Sequence, residues 1–291
     1  MLFYLKYLSR ENLKILITGA TGNVGGAILN RIDCSADVYA GVRNIEKAKH
    51  LQGKYQLCVI DFEQQIYPQI DFDAVFLIRP PKLARSDIFR KYLTILKPKT
   101  KIVFLSVQGA DTKSYLPHAK IEKIIRTLGL KHTFIRPSYF MENLTTTLWD
   151  ELAENNRIYL PSSDLIFNWI AVDDVAEVAI KALRRDLTKD SLEITGSSNL
   201  NFARVVSTIN NICGTKVKYV SPSLIEFIIY NFKKGKKISY ILVMILLHYL
   251  PKFNQKSNLT STDFQNICDR QPVSIEEFIS DNRKLFKQLE A

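Results

Sequence analysis

The chain has 291 residues, 46% hydrophobic and 24% charged, the balance of a globular protein long enough to bury a substantial core. Lys and Arg number 40 against 29 Asp and Glu, a net charge of +11 that raises nucleic acid as a partner. The basic residues are dispersed, with no recognition helix or aromatic nucleic-acid signature beside them, so no nucleic-acid partner is expected.

Met1–Leu8 lacks the long apolar core and small-residue cleavage site of a secretion signal. The four cysteines (Cys34, Cys58, Cys213, Cys268) lack the paired spacing of a zinc or redox site. Reduced thiols in a cytoplasmic protein, with no metal, are the expectation.

The apolar run Lys14–Thr18 leads into Gly19-Ala20-Thr21-Gly22-Asn23-Val24-Gly25, which reads as strand, glycine turn and helix. Gly19 permits the turn, Gly22 lets backbone approach a pyrophosphate, and Gly25 lets the helix pack on the strand. The amino end of that helix, with Thr21, Asn23 and Val24, offers N–H groups and a positive dipole to phosphates. A second strand ends at Arg43. An NAD site favours a carboxylate there for the ribose hydroxyls, whereas a planar guanidinium suits a 2′-phosphate and points to NADP. The alternative is an ordinary arginine closing a strand.

Asp61 and Phe62 close a third strand where adenine would lie, the carboxylate accepting from its amine and the ring packing beside it. A plain strand-ending Asp is the competing role. Ile78 and Arg79 follow a fourth strand, and Ser106 and Val107 a fifth, at the carboxyl edge beside the expected nicotinamide position. Strands near residues 13–18, 37–43, 55–61, 74–78, 101–107 and 132–136 alternate with helices. Asn44 and Ser86 are candidate caps, and Pro117 fits a first turn. This rhythm predicts an α/β fold with a doubly wound parallel sheet in the order 3-2-1-4-5-6.

Tyr115 invites comparison with a tyrosine that exchanges a proton with substrate, paired to a lysine four residues on. Position 119 is Ala119, and Lys120 lies about 100° further round a helix, so no such dyad is assigned. His118 and Glu122 are four apart and could bond on one helical face beside the stripe Ile121, Ile124, Ile125, Leu128. His118 and Lys120 flank that stripe on opposite sides. After the strand to Arg136, Pro137 ends the ladder, leaving Tyr139, Phe140 and Asn143 to enclose a nicotinamide or substrate.

Beyond Trp149 the rhythm changes. Residues 157–170 read as extended with a turn at 161–164, 172–183 as a helix, 192–195 as a strand, 201–213 as a helix and 216–220 as a strand. Ser274 and Glu277 form a capping box. The division is a dinucleotide-binding domain over 13–155 and a smaller, mixed, mostly helical domain over 156–291, with 168–196 packing back on the first. The smaller domain is expected across the sheet's carboxyl edge, where a ligand crevice would form. Residues 238–250 are too short to span a membrane and fit a buried helix lining a pocket or subunit contact. The run Lys233–Lys237 reads as a solvated loop, with a phospholipid contact second.

As an ordered set these pieces resemble the NmrA-like family, atypical members of the extended short-chain dehydrogenase/reductases. The likeness rests on residues 18–25, Arg43, Phe76–Pro81, His118–Glu122, Ile135–Leu144, Val172–Ala176 and Gln271–Phe278, and spans roughly residues 13–287. It implies NADP in the glycine turn with Arg43 on the 2′-phosphate. It also implies a substrate space between the His118 helix, the Phe140 segment and the last third of the chain. The family holds quinone, dye and alkaloid-precursor reductases as well as NADP-binding regulators. The expected activity is reduction of a small apolar quinone-like or conjugated acceptor, the proton coming from solvent, His118 or Tyr139, with Lys120 nearby. The alternative is an NADP(H) sensor acting through a protein partner or a second copy of the chain, and a third reading docks residues 233–250 on a membrane surface.

Overall fold

The computed structural model describes residues 13–33, 36–80, 83, 85–187, 189–253 and 260–289; Met1–Leu8, Cys34 and Pro81 lie outside them. In chain order the elements are β1 (Lys14–Thr18), α1 (Asn23–Arg31), β2 (Asp37–Val42), β3 (Gln56–Val59), β4 (Ala74–Ile78), α2 (Ile88–Ile95), β5 (Lys101–Leu105), α3 (Pro117–Thr127), β6 (His132–Pro137), β7 (Tyr139–Phe140), α4 (Trp149–Asn155), β8 (Arg157–Tyr159), β9 (Phe167–Ile170) and α5 (Val172–Leu183). They continue as β10 (Ser191–Ile194), β11 (Asn199–Leu200), α6 (Phe202–Cys213), β12 (Lys218–Val220), α7 (Leu224–Lys233), α8 (Ile238–His248), α9 (Asp263–Cys268), α10 (Ile275–Asp281) and α11 (Arg283–Phe286). The chain divides into two units. The first comprises the residues up to Pro137 with Val172–Ile194 and Asp263–Arg270, and the second comprises Ser138–Ala171, Thr195–Thr262 and the residues from Gln271. The first break thus falls at Pro137/Ser138, where the expectation placed it at 155/156.

The first unit is a parallel sheet in the order β10-β6-β5-β4-β1-β2-β3, the expected 3-2-1-4-5-6 arrangement with β10 added beyond β6. Its central strands bury both faces, as in Ile15-Leu16-Ile17 and Val75-Phe76-Leu77, which explains their unbroken apolar runs. The Thr18 hydroxyl donates to the Phe76 carbonyl and accepts from the Ile78 N–H, each at 2.9 Å, tying the carboxyl ends of β1 and β4. Phe62, Phe89, Tyr92, Phe104 and Phe134 fill the core.

Two capping assignments change in detail. Asn44 Oδ1 accepts from the Lys47 N–H at 3.2 Å, but the segment it opens is a 3-10 turn, Glu46–Leu51. Ser86 contributes its carbonyl to the Phe89 N–H, and Asp87 occupies the cap of α2 without a side-chain bond.

In the second unit β11, β9 and β7 form one small sheet and β12 and β8 another, around a core that includes Trp169, Phe202, Phe227 and Phe286. Asn168 is its polar hub. Oδ1 accepts from the Ser138 hydroxyl and the Gly196 N–H, both at 2.7 Å, while Nδ2 donates to the Gly196 carbonyl and Asn199 Oδ1, both at 3.0 Å. Both α7 and α10 start with capping boxes, Ser223 with Glu226 and the expected Ser274 with Glu277. The helix α8 departs from expectation. It buries only Ile241, Met244 and His248, because that spacing gives it one narrow inward face.

Replacing Asn168 by Ala leaves the hydroxyl of Ser138 and both backbone groups of Gly196 without their partner. The expected loss is about 3 kcal/mol, read as a lowered urea midpoint of the second unit.

Candidate functional site

In the first unit, β1 delivers the chain into Gly19, whose φ of +65° suits glycine, and the Gly22 N–H closes the turn on the Gly19 carbonyl at 2.9 Å. A Cβ on Gly25 would stand 2.2 Å from the Gly19 carbonyl oxygen, so α1 meets the turn at a distance that admits no side chain. Gly22 caps α1 in an extended conformation with no side-chain bond, and no acidic residue occupies the first turn. Thr21, Gly22 and Asn23 are exposed while Val24 and Gly25 are buried. The result is a helix amino end open to an anion.

Parallel pairing brings the next candidates alongside. Thr18 lies opposite Gly41, and two residues later Arg43 is exposed and, among the described residues, without an ion-pair partner. Asp61 follows β3, but its Oδ1 accepts from the Glu63 and Gln64 N–H groups at 2.8 and 3.0 Å and so holds a local turn. Phe62 is buried against Phe89, with ring centroids 4.6 Å apart. It is a core residue, which corrects its expected place beside adenine.

At the carboxyl edge of β5 and β6 the structure gathers a polar cluster that the sequence reading missed. Glu122, buried in α3, accepts from Ser106 Oγ at 2.6 Å and from Arg136 Nε and Nη2 at 2.9 and 2.7 Å. Arg136 Nη1 also reaches Glu193 at 3.1 Å, and these hydrogen bonds raise its pKa further. Two expectations are corrected here. Glu122 does not serve His118, because a buried carboxylate is held by the guanidinium in preference to a neutral ring. Ser106, expected to offer its backbone groups to a ligand, already gives its N–H to the Ile135 carbonyl, and its hydroxyl donates to Glu122. The available signal was an acid inside the apolar stripe of α3.

His118 is half-buried, its ring 6.0 Å from that of Phe104, and desolvation aided by repulsion from Arg79 pushes its pKa down to about 4. Arg79 is itself half-buried, with Nε enclosed and without a hydrogen-bond partner among the described residues. Ile78 is half-buried, its Cγ2 2.5 Å from where a Gly19 Cβ would stand. Lys120 is exposed on α3, Val107 is half-buried, and Pro137 is the last residue of β6, paired in register with Ile194. Tyr115 is exposed and precedes α3, so no dyad with Lys120 forms.

Tyr139 and Phe140 belong to the second unit. The Tyr139 hydroxyl lies 2.9 Å from His248 Nε2, and His248 Nδ1 lies 3.0 Å from the Met244 carbonyl. A carbonyl can only accept, so Nδ1 carries the hydrogen. Burial lowers the His248 pKa to about 4, leaving Nε2 as an acceptor. Tyr139 therefore donates to His248, and burial raises its own pKa. Phe140 is half-buried in β7.

A parallel sheet in this order with a glycine turn after its first strand defines the doubly wound dinucleotide-binding class. The chain belongs to the NmrA-like family, whose sequence profile matches residues 101–279. It is 25% identical to NAD(P)H azoreductase of Xenophilus azovorans over 72% of this chain and 77% of that protein. It is 24% identical to Prestalk A differentiation protein A of Dictyostelium discoideum, over 73% of each. Among solved structures, an NADPH-dependent quinone oxidoreductase of Escherichia coli complexed with NADPH shares the fold at a TM-score of 0.75 and 19% identity, covering 92% of this chain and 99% of that one.

The neutral histidines carry a pH consequence. An unfolded chain protonates these rings below about pH 6.5, whereas the folded state resists until about pH 4, so stability falls as pH drops through that window. At pH 5 each ring costs about 2 kcal/mol relative to pH 7, and His118→Gln removes the share of the first unit, as urea unfolding at both pH values will read. Glu122→Ala, which strips the buried Arg136 of its two-point carboxylate partner and leaves it the partly exposed Glu193, lowers stability by about 3 kcal/mol in the same assay.

Proposed function

We propose that the first unit binds NADP(H) and that the protein is a reductase of a small quinone-like or conjugated acceptor. The observation that carries the cofactor assignment is the uncapped first turn of α1, closed on Gly19 at a distance only a glycine at position 25 allows, with Arg43, exposed and without an ion-pair partner among the described residues, just past the neighbouring strand. Pyrophosphate fits the first-turn N–H groups of Asn23 to Gly25, the Gly22 N–H being used to close the turn, and a 2′-phosphate fits the Arg43 guanidinium. Ile78, Arg79, Val107 and Pro137 lie at or just beyond the strand ends where the nicotinamide half belongs, and Lys120 stands in the first turn of α3. The Asp61 turn borders the adenine end. NADPH, when bound, supplies a hydride.

What the chain's own groups offer narrows the acceptor. His118 is neutral at physiological pH and has no imidazolium proton to give. The Tyr139 proton is held by His248. With neither His118 nor Tyr139 poised as an acid, the favoured acceptor is one whose reduced anion is already delocalised and takes its proton from water. Quinones and azo or dye-like conjugated systems meet that condition, in keeping with the names of the azoreductase and quinone oxidoreductase relatives. The same lack of an acid also supports a second reading, an NADP(H)-binding regulator with little turnover.

Arg43→Glu is expected to weaken NADPH binding by at least about tenfold while leaving NADH affinity nearly unchanged, measured by calorimetry. Equal losses for both cofactors would remove the 2′-phosphate assignment. NADPH oxidation with a panel of benzoquinones, naphthoquinones and azo dyes then separates the readings. Turnover above the uncatalysed rate supports the reductase, and tight binding without turnover on any acceptor supports the regulator.

A further inference from the structure

We propose that the α7–α8 hairpin of the second unit is a docking face for an anionic lipid surface, a property separate from the cofactor reading. Ile225, Ile229 and Phe232 on α7 and Ile238, Leu242 and Leu246 on α8 are between 43% and 69% exposed. They recur at three- and four-residue spacing, so each helix carries a continuous outward apolar stripe. The stripes are not misplaced core. The opposite face is already committed, with Phe227 on α7 and Ile241, Met244 and His248 on α8 buried and the His248 ring bonded to Tyr139. Exposed apolar surface of this kind marks a contact with a protein or a membrane.

Charge decides between them. Residues 221–253 contain five lysines and one acid, Glu226, whose carboxylate accepts from the Ser223 N–H at 2.8 Å as part of the α7 cap. In the turn between the helices, Lys234 and Lys236 pair with Glu154 and Asp150 at 2.8 and 2.9 Å. Lys233 and Lys237 are exposed and have no carboxylate partner among the described residues. Two copies joined across this face with their turns in contact would set the unpaired Lys233 and Lys237 of one against those of the other, while Glu154 and Asp150 are already engaged by Lys234 and Lys236. A bilayer rich in anionic headgroups supplies both requirements, acyl chains for the aliphatic stripes and negative charge for the lysines flanking them. The geometry is that of a helix lying in the interface. At eleven residues α8 is about 16 Å long against the roughly 30 Å of a hydrocarbon core, and no described helix is long and apolar enough to cross.

Flotation of the whole protein with liposomes tests this. Vesicles of phosphatidylcholine with roughly a quarter phosphatidylglycerol should carry the protein upward at low salt, and binding should fall as salt rises. Leu242→Asp with Leu246→Asp should abolish flotation, and Lys233→Glu with Lys237→Glu should weaken it at least about tenfold, both with unchanged thermal midpoints because the side chains are exposed. The proposal is overturned by no flotation with anionic vesicles, by equal flotation with pure phosphatidylcholine, or by binding that survives both double variants. A concentration-dependent dimer in sedimentation, dissolved by Leu242→Asp and unaccompanied by lipid binding, assigns the face to a second copy and also overturns it.

Discussion

A carboxylate buried beneath the end of a parallel sheet constrains the first unit more than any other single feature. Glu122 is satisfied there by Arg136 and Ser106. Stripped of water, a lone carboxylate would cost several kcal/mol, so its partners are obligatory. That requirement fixes α3 against the carboxyl ends of β5 and β6 and, through Glu193, draws in β10. It also settles what the neighbouring groups can do. The Ser106 hydroxyl is consumed, and at His118, one turn earlier on the same helix, desolvation and Arg79 outweigh the pull of Glu122 on a ring proton.

The site chemistry follows from that allocation. On the proposed reading the glycine turn needs no charged side chain to receive phosphates, since the backbone of α1 provides the field and Arg43 would add a single fixed charge at one edge. Reactivity is then left to whatever cofactor the turn holds, and the protein contributes position and a low local dielectric. Nothing in this allocation demands a strong protein acid, which is why an acceptor that stabilises its own negative charge suits it.

Much of the architecture was legible because it is written in short-range patterns. The apolar runs at Lys14–Thr18 and Ala74–Ile78 announce strands buried on both faces, and Gly19 through Gly25 announces the turn. What escaped depends on contacts far apart in the chain. Phe62 follows a strand in the manner of a ligand wall, yet its ring turns into Phe89 and Tyr92, some 30 residues later by rough count of the chain, as aromatic burial requires. Glu122 shows helical spacing to His118, but the stronger partner, Arg136, arrives from another strand. Ser86 has the chemistry of a cap, but its backbone is used instead. The apolar content of α8 suggested burial, because composition does not reveal which face the rest of the fold can cover.

The ring of His248 fixes one further property of the second unit. With Nδ1 committed to a main-chain oxygen and Nε2 to a phenol, the imidazole holds a single tautomer and cannot turn over without breaking both bonds. Ionising that phenol would place a phenolate among aromatic rings with, among the described residues, no cation acting on it. In an alkaline spectrophotometric titration Tyr139 should therefore stay silent in the ultraviolet band of tyrosinate until the surrounding aromatic cluster comes apart, making it an internal reporter of when the second unit opens.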